Sequence, residues 1–417
     1  MQPHQNRRER LPSYALFAGV LACAGLPIYI NAPKFYFDEY GISLATLGVV
    51  LFGLRLFDVF QDPALGWLSG RLAHRRGIAV AIAGLIMGGA MVALFAVTPP
   101  FNPLIWFAIA LAFLFSSFSF LSITFYAQGV AKVANSPNLT HVRLASWREA
   151  GGLIGVCLAA IAPLALGHVT LTPFHLFAWL FFAASLVAVI AMQFEWTAQK
   201  PNSTFDFRAI LADPGSRRLL IIAFANSAPV AITSTLFLFF TQYRLEAPGA
   251  EGPLLLLFFV AAAISTPFWG KAAARYGYQP VLLAGMALAI ITFSFAAFLG
   301  AGDVGLFAVV CLFSGAALGA DMTLLPAIFA AHIATGPSDA GQAFGLWAFV
   351  SKLTLAIAAI TVLPILQWAG ISSDVAPTAN ALTTLTFLYA VLPGALKVIA
   401  VALVLTAPSI TTFQKHP

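Results

Sequence analysis

The sequence predicts an all-α membrane protein, with twelve transmembrane helices in two pseudo-symmetric six-helix bundles. Three observations lead there. Of 417 residues, 60% are hydrophobic and only 9% charged, with a mean hydropathy of +0.92. That is more apolar surface than a water-soluble core can hide. The apolar residues gather into twelve long runs between short charged or Pro/Gly clusters. One longer polar segment, Trp196 to Arg218, divides those runs six and six.

The runs cover roughly 13–37, 43–70, 78–97, 103–131, 145–167, 172–195, 219–243, 252–275, 280–300, 304–333, 341–366 and 383–406. Arg7, Arg8 and Arg10 before the first run imitate a secretory leader, but the run is too long for one and further spans follow. It reads as an uncleaved first helix. The segment KPNSTFDFRAILADPGSRR mixes proline, glycine and both charges, as a cytoplasmic linker does, with a short interfacial helix near Phe207–Leu211. The resulting units are residues 1–195, the linker 196–218, and residues 219–417.

Charge fixes an expected orientation. With both termini cytoplasmic, sixteen of the 21 basic residues fall on that side: Arg7, Arg8, Arg10, Arg71, Arg75, Arg76, Lys132, Arg143, Arg148, Lys200, Arg208, Arg217, Arg218, Lys271, Arg275 and Lys415. Only Lys34 and Arg244 land outside, while Arg55, Lys352 and Lys397 lie within spans. This positive-inside bias predicts a multi-pass protein of the plasma (inner) membrane. The net charge of +6 is spread in these loops, which argues against nucleic acid as a partner. The halves also echo each other: GWLSGRLAHRRG follows span 2 and GKAAARYG follows span 8, with Gly66/Gly270 and Arg71/Arg275 both offset by 204.

Cys23, Cys157 and Cys311 sit singly in apolar runs and read as small hydrophobes. The histidines occupy loops and helix ends without HExxH or i, i+4 pairs, and no phosphate loop or nucleophile elbow is present. Neither an enzyme nor a transition-metal centre is indicated.

Span 2 carries the informative chemistry. Arg55, Asp58 and Asp62 sit at i, i+3, i+7, on one helical face. A charge at mid-bilayer costs roughly 2.5–3.5 kcal/mol on insertion scales, so such residues pair or line a polar path. One bridge to Arg55 accounts for one acid and not two. Close like charges favour a shared cation or proton. Pro63 frees the carbonyl of Val59 as a further oxygen donor. Hard oxygen ligands suit Na+ or H+.

Lys352, alone in span 11, needs a partner on another helix: Asp58 or Asp62 across the halves, or Asp321 in span 10. Arg148 is either an ordinary positive-inside residue or a cavity residue touching solute, with Glu149 beside it. In span 4, Tyr126 and Gln128 are candidate solute contacts, whereas Ser122 and Thr124 also fit helix packing. Asn31, Tyr29, Trp347, Gln342 and Asn226 are weaker candidates. Arg71, Arg75, Arg76, Lys271 and Arg275 read as gate and topology residues that clamp helix C-termini and acids in the closed cytoplasmic state.

The loops GWLSGRLAHRRG and GKAAARYG resemble the G-x-x-x-D-R-x-G-R motif of the major facilitator superfamily. GLRLFDVFQDPALGWLSGR resembles the R-x-x-D-x-x-x-D-P-x-x-G signature of its glycoside–pentoside–hexuronide:cation symporter branch, typified by the melibiose permease. The likeness continues in FYFDEYGISLATLGVVLFGLRLFD, LTHVRLASWREAGGLIG and GQAFGLWAFVSKL. It implies the major facilitator fold. It also implies that Asp58 and Asp62 match the family's cation-site acids with Arg55 as charge partner, Lys352 its functional lysine, Arg148 its sugar-site arginine and Tyr126 its stacking aromatic. The chain departs at GVLACAG in span 1, where the sugar-binding acid is missing, at Ser122, which replaces a second acid, at PAIFAAHIA after span 10, and at Gly70, where the superfamily usually has Asp.

The expected function is secondary active transport by a monomer that couples Na+ or H+ to a small organic solute, a sugar or sugar-like compound. The expected site comprises Asp58, Asp62 and Arg55 for the cation, Lys352 for coupling, and Arg148, Tyr126, Gln128, Trp347, Ser122 and Asn31 for the solute. Arg71, Arg75 and Arg275 are the expected gate. No cofactor beyond the coupling ion is expected. The alternatives are a lipid or amphiphile carrier of the same fold and a proton-channel subunit of a larger membrane complex.

Overall fold

The computed structural model describes residues 10–197, 207–336, 339–370 and 377–407. Arg7, Arg8, Lys200 and Lys415, which contribute to the orientation argument, lie outside the described residues, as does the side chain of Tyr29. In the N-terminal half, α1 (Leu11–Cys23) and α2 (Leu26–Tyr40) make the first crossing. They are followed by α3 (Leu44–Arg71), α4 (Arg76–Phe95), α5 (Pro103–Ala134), α6 (His141–Gly167) and α7 (Pro173–Met192). The short α8 (Phe207–Ala212) stands in the linker. The C-terminal half comprises α9 (Pro214–Phe239), α10 (Glu251–Tyr276), α11 (Tyr278–Ala296), α12 (Val304–Thr335), α13 (Ala340–Trp368), and a last crossing made of α14 (Ala379–Thr386) and α15 (Leu392–Leu405). Among the described residues ten helices, counting the last crossing as one, are long and apolar enough to span a membrane. The divided first crossing and the charged α3 complete the twelve.

Polar side chains set the helix starts. Asn102 Oδ1 accepts from the amides of Leu104 and Ile105, Thr140 Oγ1 from Arg143, and Asp339 Oδ1 from Gln342. Each satisfies amides that have no partner within the helix. Proline occupies the first turn of α5, α7 and α9, where its missing N–H costs nothing.

The first span differs from the single helix expected over 13–37. It breaks at Ala24–Gly25, and α2 restarts with Pro27 in its first turn. Proline has no amide to continue the ladder from α1, and the glycine ahead of it lets the chain turn. The twelfth span shows a milder case. A π-turn at Phe387–Val391 precedes Pro393, which sits in the first turn of α15.

Small residues bring helices together. A Cβ on Gly155 would lie 2.1 Å from the carbonyl oxygen of Gly19, and one on Gly151 would lie 2.1 Å from that of Ala15. The backbones of α1 and α6 therefore touch, as small residues permit in membrane helices. The two halves meet in the same manner. Gly66 of α3 abuts Gly341 and Gly345 of α13, Gly70 abuts the carboxylate of Asp339, and Gly270 of α10 abuts Ser146 of α6. These close approaches all lie toward the end that carries the linker. A shared apolar core there joins Val130, Val142 and Ala145 to Leu324, Ile328 and Phe344. Gly70, where the superfamily motif usually has aspartate, leaves the room that the Asp339 carboxylate fills.

Candidate functional site

α3 has two buried acids one turn apart, Asp58 (5% exposed) and Asp62 (0%). α13 of the other half supplies Lys352, whose Nζ lies 2.7 Å from Asp58 Oδ2 and 2.9 Å from Asp62 Oδ2. Nζ donates to Asp62 Oδ1 at 3.0 Å and to Ser119 Oγ of α5 at 2.6 Å. Ser119 in turn donates to Asp58 Oδ1 at 2.9 Å, and Gln61 Nε2 donates to the same oxygen at 2.8 Å. Gln61 is held by Ser116, whose hydroxyl donates to Oε1 at 2.9 Å. Asp62 Oδ2 touches the ammonium as an ion pair but receives no hydrogen bond of its own.

One ammonium thus serves two carboxylates. Asp321, the other partner considered for Lys352, is held elsewhere by Lys397. Arg55 is half-buried on α3, three residues before Asp58. The cation seated between the acids is Lys352. Such an arrangement can exchange its ammonium for a small cation or a proton, because either satisfies the same oxygens.

A second polar group lies toward the linker end. Arg148 Nε donates to Glu149 Oε1 at 2.8 Å, and its guanidinium lies 3.6 Å from the centroid of the Tyr126 ring. Tyr126 Oη donates to the same Glu149 oxygen at 2.8 Å. The aromatic contact continues across the halves: Tyr126 is 5.1 Å from Phe344, Phe344 is 5.4 Å from Phe329, and Phe329 is 4.9 Å from Trp347, centroid to centroid. Arg148 is buried, in a cation–π contact that an ordinary loop residue would not make.

A family model for MFS/sugar transport proteins matches residues 13–409. The chain belongs to the MFS/sugar transport family. Comparison with curated protein sequences returned no match. Solved structures agree on the fold. A bacterial homologue of the iron transporter ferroportin, in an outward-facing state, superposes with a TM-score of 0.71 at 14% identity, over 96% of this chain and 100% of that one. The human organic anion transporter MFSD10 (TETRAN) gives a TM-score of 0.65 at 16% identity, over 93% of this chain and 98% of that one. The major facilitator fold is therefore the architecture of this multi-pass membrane protein, and the family is one of transporters and not of enzymes. Membership also replaces the channel-subunit reading with that of a transporter.

Some expected residues of this MFS transporter sit elsewhere than supposed. Gln128 does not join the solute group. It accepts from Arg76 Nη1 at 2.9 Å and donates to the backbone of Glu195 and to Thr197 Oγ1. It faces the linker end because it lies half a turn beyond Tyr126, on a different side of α5. Ser122 and Asn31 are half-buried, on α5 and α2.

The expected gate also differs. Arg71 stacks over Trp67 at 5.2 Å and Arg275 over Tyr276 at 5.2 Å, and both are exposed, as is Arg75. Among the described residues none of the three pairs with an acid of the opposite half. Glycine contacts close that end, since backbones that touch leave no room for long side chains.

Sequence reasoning missed Ser119, Ser116 and Gln61. The signal was present: Ser116, Ser119, Ser122 and Tyr126 follow a three- or four-residue spacing, which places them along one face of α5.

Proposed function

We propose that this transporter couples a monovalent cation, Na+ or H+, to the movement of a small organic solute, a sugar or sugar-like compound, by alternating access. The observation behind the proposal is the Lys352 bridge. Its ammonium ties α13 of one half to Asp58 and Asp62 of the other. A cation arriving at the acids competes with that ammonium. Its affinity therefore differs between bridged and unbridged arrangements, which is the condition for coupling. A monovalent cation entering under ~100 mV contributes about 2.3 kcal/mol to the cycle.

The solute would meet Arg148, Glu149, Tyr126 and Trp347. Charged hydrogen-bonding groups beside aromatic faces suit a molecule with hydroxyls on one side and C–H groups on the other. The positive-inside pattern supports cytoplasmic termini in a plasma (inner) membrane. The sealed linker end is then the cytoplasmic end.

The test uses purified protein in liposomes with radiolabelled sugars, sugar acids and lysolipids, under imposed Na+, Li+ or H+ gradients. Accumulation of a sugar that collapses with one of those gradients supports the proposal. Uptake indifferent to all three gradients overturns coupling, and uptake of lysolipid alone overturns the solute class.

A further inference from the structure

The geometry points to Asp339 as a positioning residue of the transport cycle. Its carboxylate, carried by the C-terminal half, fastens onto the turn between α3 and α4 of the N-terminal half. That tie has to let go before the linker end can open. The role holds whichever ion or solute is carried.

Asp339 is first anchored on its own helix. It is the N-cap of α13, and its Oδ1 accepts from the Gln342 amide at 2.9 Å. That bond fixes the side chain and sets its charge at the positive end of α13. From there the carboxylate reaches over the seam. A Cβ on Gly70 would lie 2.7 Å from Asp339 Oδ1 and 3.0 Å from both Cγ and Oδ2. The whole carboxylate therefore presses on the last turn of α3, in space that any side chain at position 70 would take. The superfamily motif usually has its aspartate at that position. Here the carboxylate arrives from the opposite half instead.

The answering charge stands on the far side of the same turn. α3 ends at Arg71, a 3-10 turn covers Ala73–Arg75, and Arg76 opens α4. Arg76 is only 3% exposed, and its charge and that of Asp339 attract each other across the seam. Within its own half Nη1 donates to Gln128 Oε1 at 2.9 Å, a neutral acceptor. Glu195, whose backbone carbonyl also meets Gln128, has its carboxylate paired with Lys132. A buried guanidinium needs an anion, and Asp339 supplies it. One residue of the turn thus receives the carboxylate by leaving room, and the other by charge.

This tie does what the glycine contacts of the same seam cannot. Contacts between touching backbones fade within about an ångström, whereas opposite charges shielded from water attract over several. Asp339 and Arg76 therefore draw the halves into register before Gly66, Gly341 and Gly345 meet.

Asp339→Asn tests this, because asparagine fills the same space and caps a helix equally well while removing the charge. The readout is a Ser146→Cys reporter on the separate contact between α6 and α10, labelled by a polar thiol reagent in the full chain. Labelling of the same variant without the reporter is subtracted. The expected result is labelling faster by roughly tenfold or more, at a melting temperature near wild type. Arg76→Gln should also speed labelling. Combined with Asp339→Asn it should label no faster than Asp339→Asn alone, since the charge left stranded in the sealed arrangement is gone. A wild-type labelling rate in Asp339→Asn overturns the tie, and so do single-variant factors that multiply in the double. Faster labelling with a clearly lowered melting temperature would reduce Asp339 to a helix cap. Should Arg76→Gln fail to fold, Asp339→Asn and the equally capping, uncharged Asp339→Ser still decide.

Discussion

Lys352 Nζ, carried by the C-terminal half, stands 2.7 Å from Asp58 Oδ2 of the N-terminal half and holds Asp62 as well. Removing either acid leaves the ammonium satisfied by the other, so the fold should survive while the cation loses its pair of oxygens. Asp58→Asn and Asp62→Asn are expected to abolish gradient-driven uptake with melting behaviour close to wild type. Wild-type accumulation by both variants in liposomes would refute the assigned pair. Lys352→Ala should retain solute binding but uncouple it, which binding and flux measured on one preparation will separate.

The seal at the linker end depends on glycine. A Cβ on Gly66 would lie 2.7 Å from Gly341 O and 3.0 Å from Gly345 Cα, both backbone atoms that cannot step aside. Gly66→Ala is expected to disfavour the sealed conformation by about 1–3 kcal/mol. A Ser146→Cys reporter at the same interface should then react faster with a polar thiol reagent. An unchanged labelling rate would show that the seal does not depend on Gly66.

Gln128 links Arg76 to the end of α7 rather than to solute. Gln128→Leu should leave a buried guanidinium short of an acceptor and cost about 1.5–3 kcal/mol of stability. Uptake by the folded fraction should keep its KM. A raised KM at unchanged melting temperature would return this residue to the solute group.

Asp213 caps α9 and contacts His332 Nε2 at 2.6 Å. Burial pushes its carboxyl up, but hydrogen bonds from His332 and Ser216 outweigh that and hold it below the usual carboxylate range. A depressed acid stabilises the fold above its unfolded value of about 3.9 and loses that contribution only as pH falls further. Asp213→Ala should therefore cost about 1 kcal/mol of stability at pH ~7 for the cap and lower the melting temperature accordingly. The gap to wild type should narrow below pH ~4. A gap that stays constant down to pH ~3 would assign the effect to something other than the ionised carboxylate.

The twelve crossings were legible because twenty-residue apolar runs admit few other structures in a bilayer. The acid pair was legible because ionised groups in such runs need partners, and Lys352 was one of few cations available. What escaped was direction. Gln128 and Ser119 lie in the same polar stretch of α5, and their faces diverge by helical phase, which polarity alone does not convey. The seal escaped for a related reason: Gly66 was read as part of a loop motif and Gly341 and Gly345 as part of a span, whereas all three act by lacking a side chain where two backbones meet. The break at Ala24–Gly25 was hidden by the apolar residues on either side of it.

The contact of Gly19 with Gly151 and Gly155 constrains any conformational cycle. With no side chains between them, α1 and α6 have no cushion to shear over, so they must travel as a single strut. Rocking then slides along the seams between α3 and α13 and between α6 and α10. A cross-link welding α1 to α6 should leave turnover untouched, and one welding α6 to α10 should stop it.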